Sequence, residues 1–143
     1  MQPYDAGYVT EVADMQSDLF FHTNRKLPGV DTKWFIEKFM CSEIRAKLDV
    51  GNPFFLNSPY PEIRLRFIQN ECDGTYKKGE SWDELISAWV GFAYSYYQWT
   101  YNVPSCDIIK QLPLDTMERC YPALHQCGWK NAVGKLYDIR GTQ

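Results

Sequence analysis

Between Leu85 and Cys106 the chain runs twenty-two residues without a charged side chain, and seven aromatics fall between Trp89 and Tyr101. A stretch this long and apolar has two destinations, a bilayer or a protein core. About twenty residues suffice to span a membrane as helix. Here, however, Ser87, Ser95, Gln98, Thr100 and Asn102 interrupt the run, and Pro104 ends it. Its Tyr and Trp residues are spread throughout instead of gathering at two interfaces. A core helix is the reading that fits. Ser81-Trp82-Asp83-Glu84 precedes it as a capping box, in which the serine hydroxyl accepts from an early N–H and Glu84 reaches back to Ser81. On a helical wheel Leu85, Trp89, Phe92, Tyr96 and Trp99 form one stripe, and Val90, Tyr94, Tyr97 and Tyr101 another. A helix apolar on two sides belongs inside a bundle, so residues 82–101 are expected to be the central element. Ser87, Gly91 and Ser95 recur every fourth residue and would let a neighbouring helix approach closely.

The rest of the chain reads as helix too. Tyr8, Val12, Met15 and Leu19 follow helical spacing. Asp31 caps a helix carrying Trp34, Phe35, Phe39, Ile44 and Leu48, closed by Gly51-Asn52-Pro53. Its alternating charges, Lys33, Glu37, Lys38, Glu43, Arg45 and Lys47, look solvent-facing. Ile63 to Phe67 alternates like a strand, but no second strand lies nearby to pair with it, and Pro61 suits a first helical turn. After a polar turn over 72–80 and the central helix, Ser105 is expected to cap a short helix ended by Pro113. Asp115 to Glu118 forms another capping box, and Trp129, Val133, Leu136 and Tyr137 mark a last helix. The expected fold is all-α: one domain over residues 1–143, a bundle of six or seven helices around the central helix 82–101, with 1–30 an acidic N-terminal segment.

A chain of 143 residues can bury a real core without staples. The net charge of −3 excludes a general nucleic-acid binder, which needs a basic face to displace counterions. Before Arg25 every charged side chain is acidic: Asp5, Glu11, Asp14 and Asp18. The five cysteines are odd in number, contain no Cys-x-x-Cys pair, and follow no visible signal peptide. These features point to reduced thiols in a cytoplasmic protein. Cys120, His125 and Cys127 lie close together, with Cys106 the nearest fourth ligand, but their spacing matches no zinc pattern. No metal or cofactor is expected.

Chemistry-bearing motifs are few. His22 and His125 are the only histidines, and no Ser or Cys occupies a nucleophile setting. No Gly-rich phosphate loop is present. The two helices flanking Leu112-Pro113-Leu114 have a helix-turn-helix outline, but the second offers only Arg119 and Gln126 amid Asp115 and Glu118. The aromatic surplus is the stronger lead. Five Trp, ten Tyr and eight Phe exceed what a small core absorbs, and exposed aromatics mark partner sites.

Phe39-Met40-Cys41-Ser42-Glu43-Ile44-Arg45, Gly51-Asn52-Pro53-Phe54-Phe55, Trp89-Val90-Gly91-Phe92-Ala93-Tyr94, Ile108-Ile109-Lys110, Leu112-Pro113-Leu114 and Tyr121 to His125 carry a family likeness. Over residues 39–138 the chain resembles small, mostly uncharacterised helical proteins of Gram-positive gut bacteria and their mobile elements, often encoded beside toxin–antitoxin-like genes. That resemblance implies a non-enzymatic protein that binds and neutralises a partner protein, antitoxin-like. Two alternatives stand beside it: a phage or mobile-element inhibitor of a bacterial defence nuclease, and a small enzyme. If a partner is bound, Tyr97 and Tyr101 are expected to supply affinity, and Asp14 and Asp18 to speed encounter.

Overall fold

The computed structural model describes residues 1–141. It is all-α, with ten α-helices and one 3-10 turn (Ala6–Tyr8) among the described residues. The long elements follow the apolar spacing closely. Helix α1 (Val9–Phe21) buries Val12, Met15 and Leu19. After the short α2 (Thr23–Lys26), α3 (Thr32–Met40) starts at Asp31, whose carboxylate accepts from the Trp34 N–H. The single helix expected from Asp31 to Leu48 is broken at Cys41. Ser42 caps a new helix, α4 (Glu43–Asp49), accepting from the Arg45 N–H at 3.1 Å. Four-residue α5 (Pro53–Leu56) precedes α6 (Tyr60–Glu71), which settles the ambiguous 63–67 segment as helix. The polar segment that follows crosses back to the start of α3, where Asp31 and Thr32 donate to the carbonyls of Lys77 and Glu80.

Helix α7 (Glu84–Tyr101) is the centre of the bundle. Its cap is Asp83, accepting from Ile86 at 2.9 Å, and not Ser81. Glu84 is thereby freed from the expected capping box and instead grips Arg25 at 2.6 Å, a bond that holds its carboxyl below the usual range. The helix ends where Asn102 turns left-handed at φ 51°, a conformation Asn tolerates better than most residues. Then come α8 (Ser105–Gln111), α9 (Leu114–Leu124) and α10 (Trp129–Ile139). Neither Ser105 nor Asp115 caps its helix; Pro104 and Pro113 occupy those positions. Among the described residues no helix is long and apolar enough to cross a membrane.

The line of small residues on α7 does meet another helix, and that helix is α1. Glu84 pairs with Arg25, Gly91 lies against Gln16, and the Trp99 indole donates to the Tyr4 carbonyl, so the two helices run antiparallel. A Cβ on Gly91 would sit 2.7 Å from the Gln16 carbonyl oxygen. Only glycine fits. Edge-to-face contacts of Phe39 with Phe20 and Phe67, and of Phe35 with Phe67, continue this core into α3 and α6. Each such buried ring contributes about 1.5–3 kcal/mol through area removed from water.

Two expectations fail here. Arg45 is not on a solvent face: it is fully buried. And Cys41 and Cys106 form a disulfide joining the α3–α4 break to α8, which corrects the expectation of reduced thiols throughout. Such bonds persist in oxidising surroundings and are uncommon in the cytosol. Cys72, Cys120 and Cys127 are free.

Candidate functional site

The expectation that α7 is covered on both sides holds for only one of its stripes. Val90, Tyr94 and Tyr97 are fully buried. The stripe of Leu85, Trp89, Phe92, Tyr96 and Trp99 looks outward: Leu85 is 65% exposed, while Phe92, Tyr96 and Trp99 are half-buried. Trp89 alone of the five is buried. Leu112-Pro113 and Gln126 to Gly128 turn the chain twice, bringing α9 and the first residue of α10 alongside this stripe.

Trp129 is the keystone of the resulting face. Its ring stacks on Phe92 at 4.2 Å between centroids, with Trp89 and Tyr96 further out at 6.3 and 6.4 Å. Tyr96 leads on to Trp99 at 6.3 Å. In the other direction Trp89 meets Tyr121 edge-on at 5.6 Å, and Tyr121 stacks on His125 at 4.3 Å. Seven rings thus form one continuous ladder across three helices. Among the described residues, the Trp129 indole N–H and the Tyr96 and Tyr121 hydroxyls make no hydrogen bond within the protein, so their polar ends are left to solvent. A surface with rigid apolar faces and wet polar tips is the composition of binding hot spots. It is a face rather than a cleft, suited to another macromolecular surface.

A second cluster lies in the core. The Arg45 guanidinium donates from Nε to Asp49 (3.2 Å) and Ser105 (3.0 Å), and from its two terminal nitrogens to Gln16 (2.8 Å) and Gln98 (3.4 Å). Ser105 returns its hydroxyl and its N–H to the two oxygens of Asp49, at 2.6 and 2.8 Å. Gln16 also donates to the Gly91 carbonyl at 2.7 Å. Every charged atom is answered, as a buried ion pair requires. A shallow depression of about 220 Å³ reaches Asp49 and Gln98 from outside, past Val50, Asn102 and Pro104. The carboxylate is already committed to Arg45 and Ser105, so this cluster serves to lock α1, α4, α7 and α8 together.

Of the expected partner residues, Tyr97 is misplaced: its ring is fully buried and its hydroxyl is buried without a partner. Burial pushes its pKa up to about 12, with Arg140 pulling the other way. Tyr101 is half-buried, stacked on Tyr137 at 4.3 Å, and the Arg140 guanidinium also lies over the Tyr137 ring. Asp14 and Asp18 are exposed on α1, beside a groove closed by residues 56–60. The Asp14 carboxyl is raised by partial burial and by the neighbouring Asp18. The structure therefore brings the two aspartates together but records no contact between them and Tyr101.

Both histidines bond backbone carbonyls one turn back, His22 to Asp18 and His125 to Tyr121. His125 is exposed, and the buried carboxylate Asp49 is held by Arg45 instead. Among the described residues no three His, Cys, Asp or Glu side chains gather as a metal set. Helical spacing marks the ladder's anchor, Trp129, only as a position on the apolar side of α10; its partial exposure follows from the helix packing, which no spacing rule supplies. Comparison with protein families, curated proteins and solved structures gives no match.

Proposed function

We propose that this protein is a partner-binding module, antitoxin-like in role, that docks another protein on the aromatic face of α7, α9 and α10 and neutralises it. The ladder centred on Trp129 supports this reading. Its rings are held by one another, so little conformational entropy is lost when a partner covers them. Leu85 extends the apolar surface along the first turn of α7. The reading shifts the binding role from Tyr97 and Tyr101 to Phe92, Tyr96, Trp99 and Trp129.

The experiment is a paired capture from the native host using wild type and a Tyr96→Ser/Trp129→Ala variant of verified fold. A protein recovered by wild type and lost with the variant is then purified and assayed with stoichiometric additions of this chain. Loss of the partner's activity supports neutralisation. Binding that survives the double substitution refutes the assigned face, and turnover of a small molecule by the chain alone would favour an enzyme instead.

A further inference from the structure

The Cys41–Cys106 bond carries an inference independent of the aromatic ladder. Its two sulfurs differ in access: Cys41 is exposed in the break between α3 and α4, whereas Cys106, the second residue of α8, is half-buried. Each cysteine adjoins a serine that serves the arginine centre. Ser42 caps α4 by accepting from the Arg45 N–H. Ser105 donates to both oxygens of Asp49 and accepts from Arg45 Nε. The bond also spans a seam. The depression of about 220 Å³ that reaches Asp49 and Gln98 has α4 as one wall, and the chain leaving α7, with Asn102 and Pro104, as the other. The disulfide ties the chain just before the first wall to the chain just after the second.

Little else holds that second wall. Asn102 and Pro104 are exposed, Val103 is half-buried, and among the described residues the hydrogen bonds from 102–106 to α4 are all made by Ser105. The far end of α8 is better anchored: Ile108 and Leu112 are fully buried, and the Tyr94 hydroxyl donates to the Leu112 carbonyl at 2.6 Å. We propose that the disulfide is a redox-sensitive clasp, whose reduction lets residues 102–106 lift from α4 and admits water to the Arg45–Asp49 pair while the rest of the bundle stays folded. A dithiol is the reductant the step requires. Its thiolate attacks the exposed Cys41 sulfur, the bond to Cys106 breaks, and Cys106 leaves with the electron pair and takes up a proton. The second thiol, deprotonated, then displaces Cys41, which is protonated in turn. The protein gains two electrons and two protons, and the dithiol becomes a cyclic disulfide. Freed of the cross-link, the seam can open locally at a lower cost than the whole fold.

The test compares three samples by hydrogen exchange: the oxidised chain, the same chain reduced with dithiothreitol, and a Cys41→Ser/Cys106→Ser variant. Alkylation of the folded chain should count two further thiols after reduction, at Cys41 and Cys106. Loss of the bond should speed exchange at residues 105–108 about tenfold more than at the middle of α1, and the double variant should match the reduced chain. An arginine-selective dicarbonyl should label Arg45 in the variant and spare it in the oxidised wild type. With glutathione in place of the dithiol, the mixed disulfide should form on Cys41. Should the variant not fold, exchange in the reduced wild type decides. A bond that resists dithiothreitol in the folded chain, an equal rise in exchange at both places, an Arg45 that stays unlabelled in the folded variant, or glutathione carried by Cys106 would each overturn the proposal. A reduced wild type that unfolds would do so too, since the clasp acts on a bundle that stays folded.

Discussion

Arg45 and Asp49, one turn apart on α4, form an ion pair inside the core, with Nε 3.2 Å from the carboxylate and the arginine fully buried. Removing one partner strands the other in low dielectric. Asp49→Ala should cost about 3–5 kcal/mol, measured by urea unfolding. Replacing the pair together, as Arg45→Met with Asp49→Leu, should cost less than Asp49→Ala alone. Equal losses would mean that packing, and not the stranded charge, sets the penalty.

Gly91 and Gly134 make an internal control. Gly91→Ala drives a methyl into the α1 backbone and should destabilise by about 1–3 kcal/mol. Gly134 sits within α10 with open space around it, so Gly134→Ala should stabilise by about 1 kcal/mol. Thermal melts of the two variants should move in opposite directions.

Trp89 and Leu85 occupy the same stripe of α7 but differ in burial. Trp89→Ala should cost about 3–5 kcal/mol through lost burial and the cavity left behind. Leu85→Ala should stay within about 0.5 kcal/mol of wild type, since that side chain is 65% exposed.

The Tyr97 hydroxyl gives the fold an alkaline limit. In the unfolded chain it ionises near pH 10; in the fold, burial holds its pKa near 12. Between those values the unfolded state has lost the proton that the folded state keeps. Stability present below about pH 10 should therefore fall as pH rises toward 12. Tyr97→Phe should flatten that decline, and it should gain about 1 kcal/mol at neutral pH by removing an unpartnered buried hydroxyl.

The Cys41–Cys106 bond closes a long loop, with a sequence separation of 65. Cys41→Ser, or reduction of wild type, should cost about 2–4 kcal/mol, read as a lower melting temperature under a dithiol reductant. Unchanged melting would show that the bond adds nothing to the packing already present.

How far the sequence carried depends on which physics ruled each residue. Spacing located α1, α7 and α10, because burial of one stripe dictates them, whereas α6 followed from Pro61 and the lack of a second strand to pair with 63–67. It also identified the line Ser87-Gly91-Ser95 as a place for a close neighbour. It failed at Arg45, whose burial depends on Gln16, Gln98 and Ser105 arriving from distant segments; alternating charge along a helix looks the same whether or not such acceptors exist. Tyr96 and Tyr97 are adjacent aromatics in an uncharged stretch of α7, so nothing local says which faces water. Ser81 and Asp83 are both good caps two residues apart, and no local rule ranks Asp83, the one used, above Ser81. Five cysteines leave several possible pairings, and only the fold brought Cys41 to Cys106.

The arginine centre draws its acceptors from residues 16, 49, 98 and 105. A nascent chain has made Arg45 and Gln16 long before it has made Gln98 and Ser105. Until α8 leaves the ribosome, the guanidinium cannot enter the interior without forfeiting half of its bonds. The interior around Arg45 therefore closes only once the last third of the chain has arrived. Translation order itself thus makes closure of the arginine centre a late event.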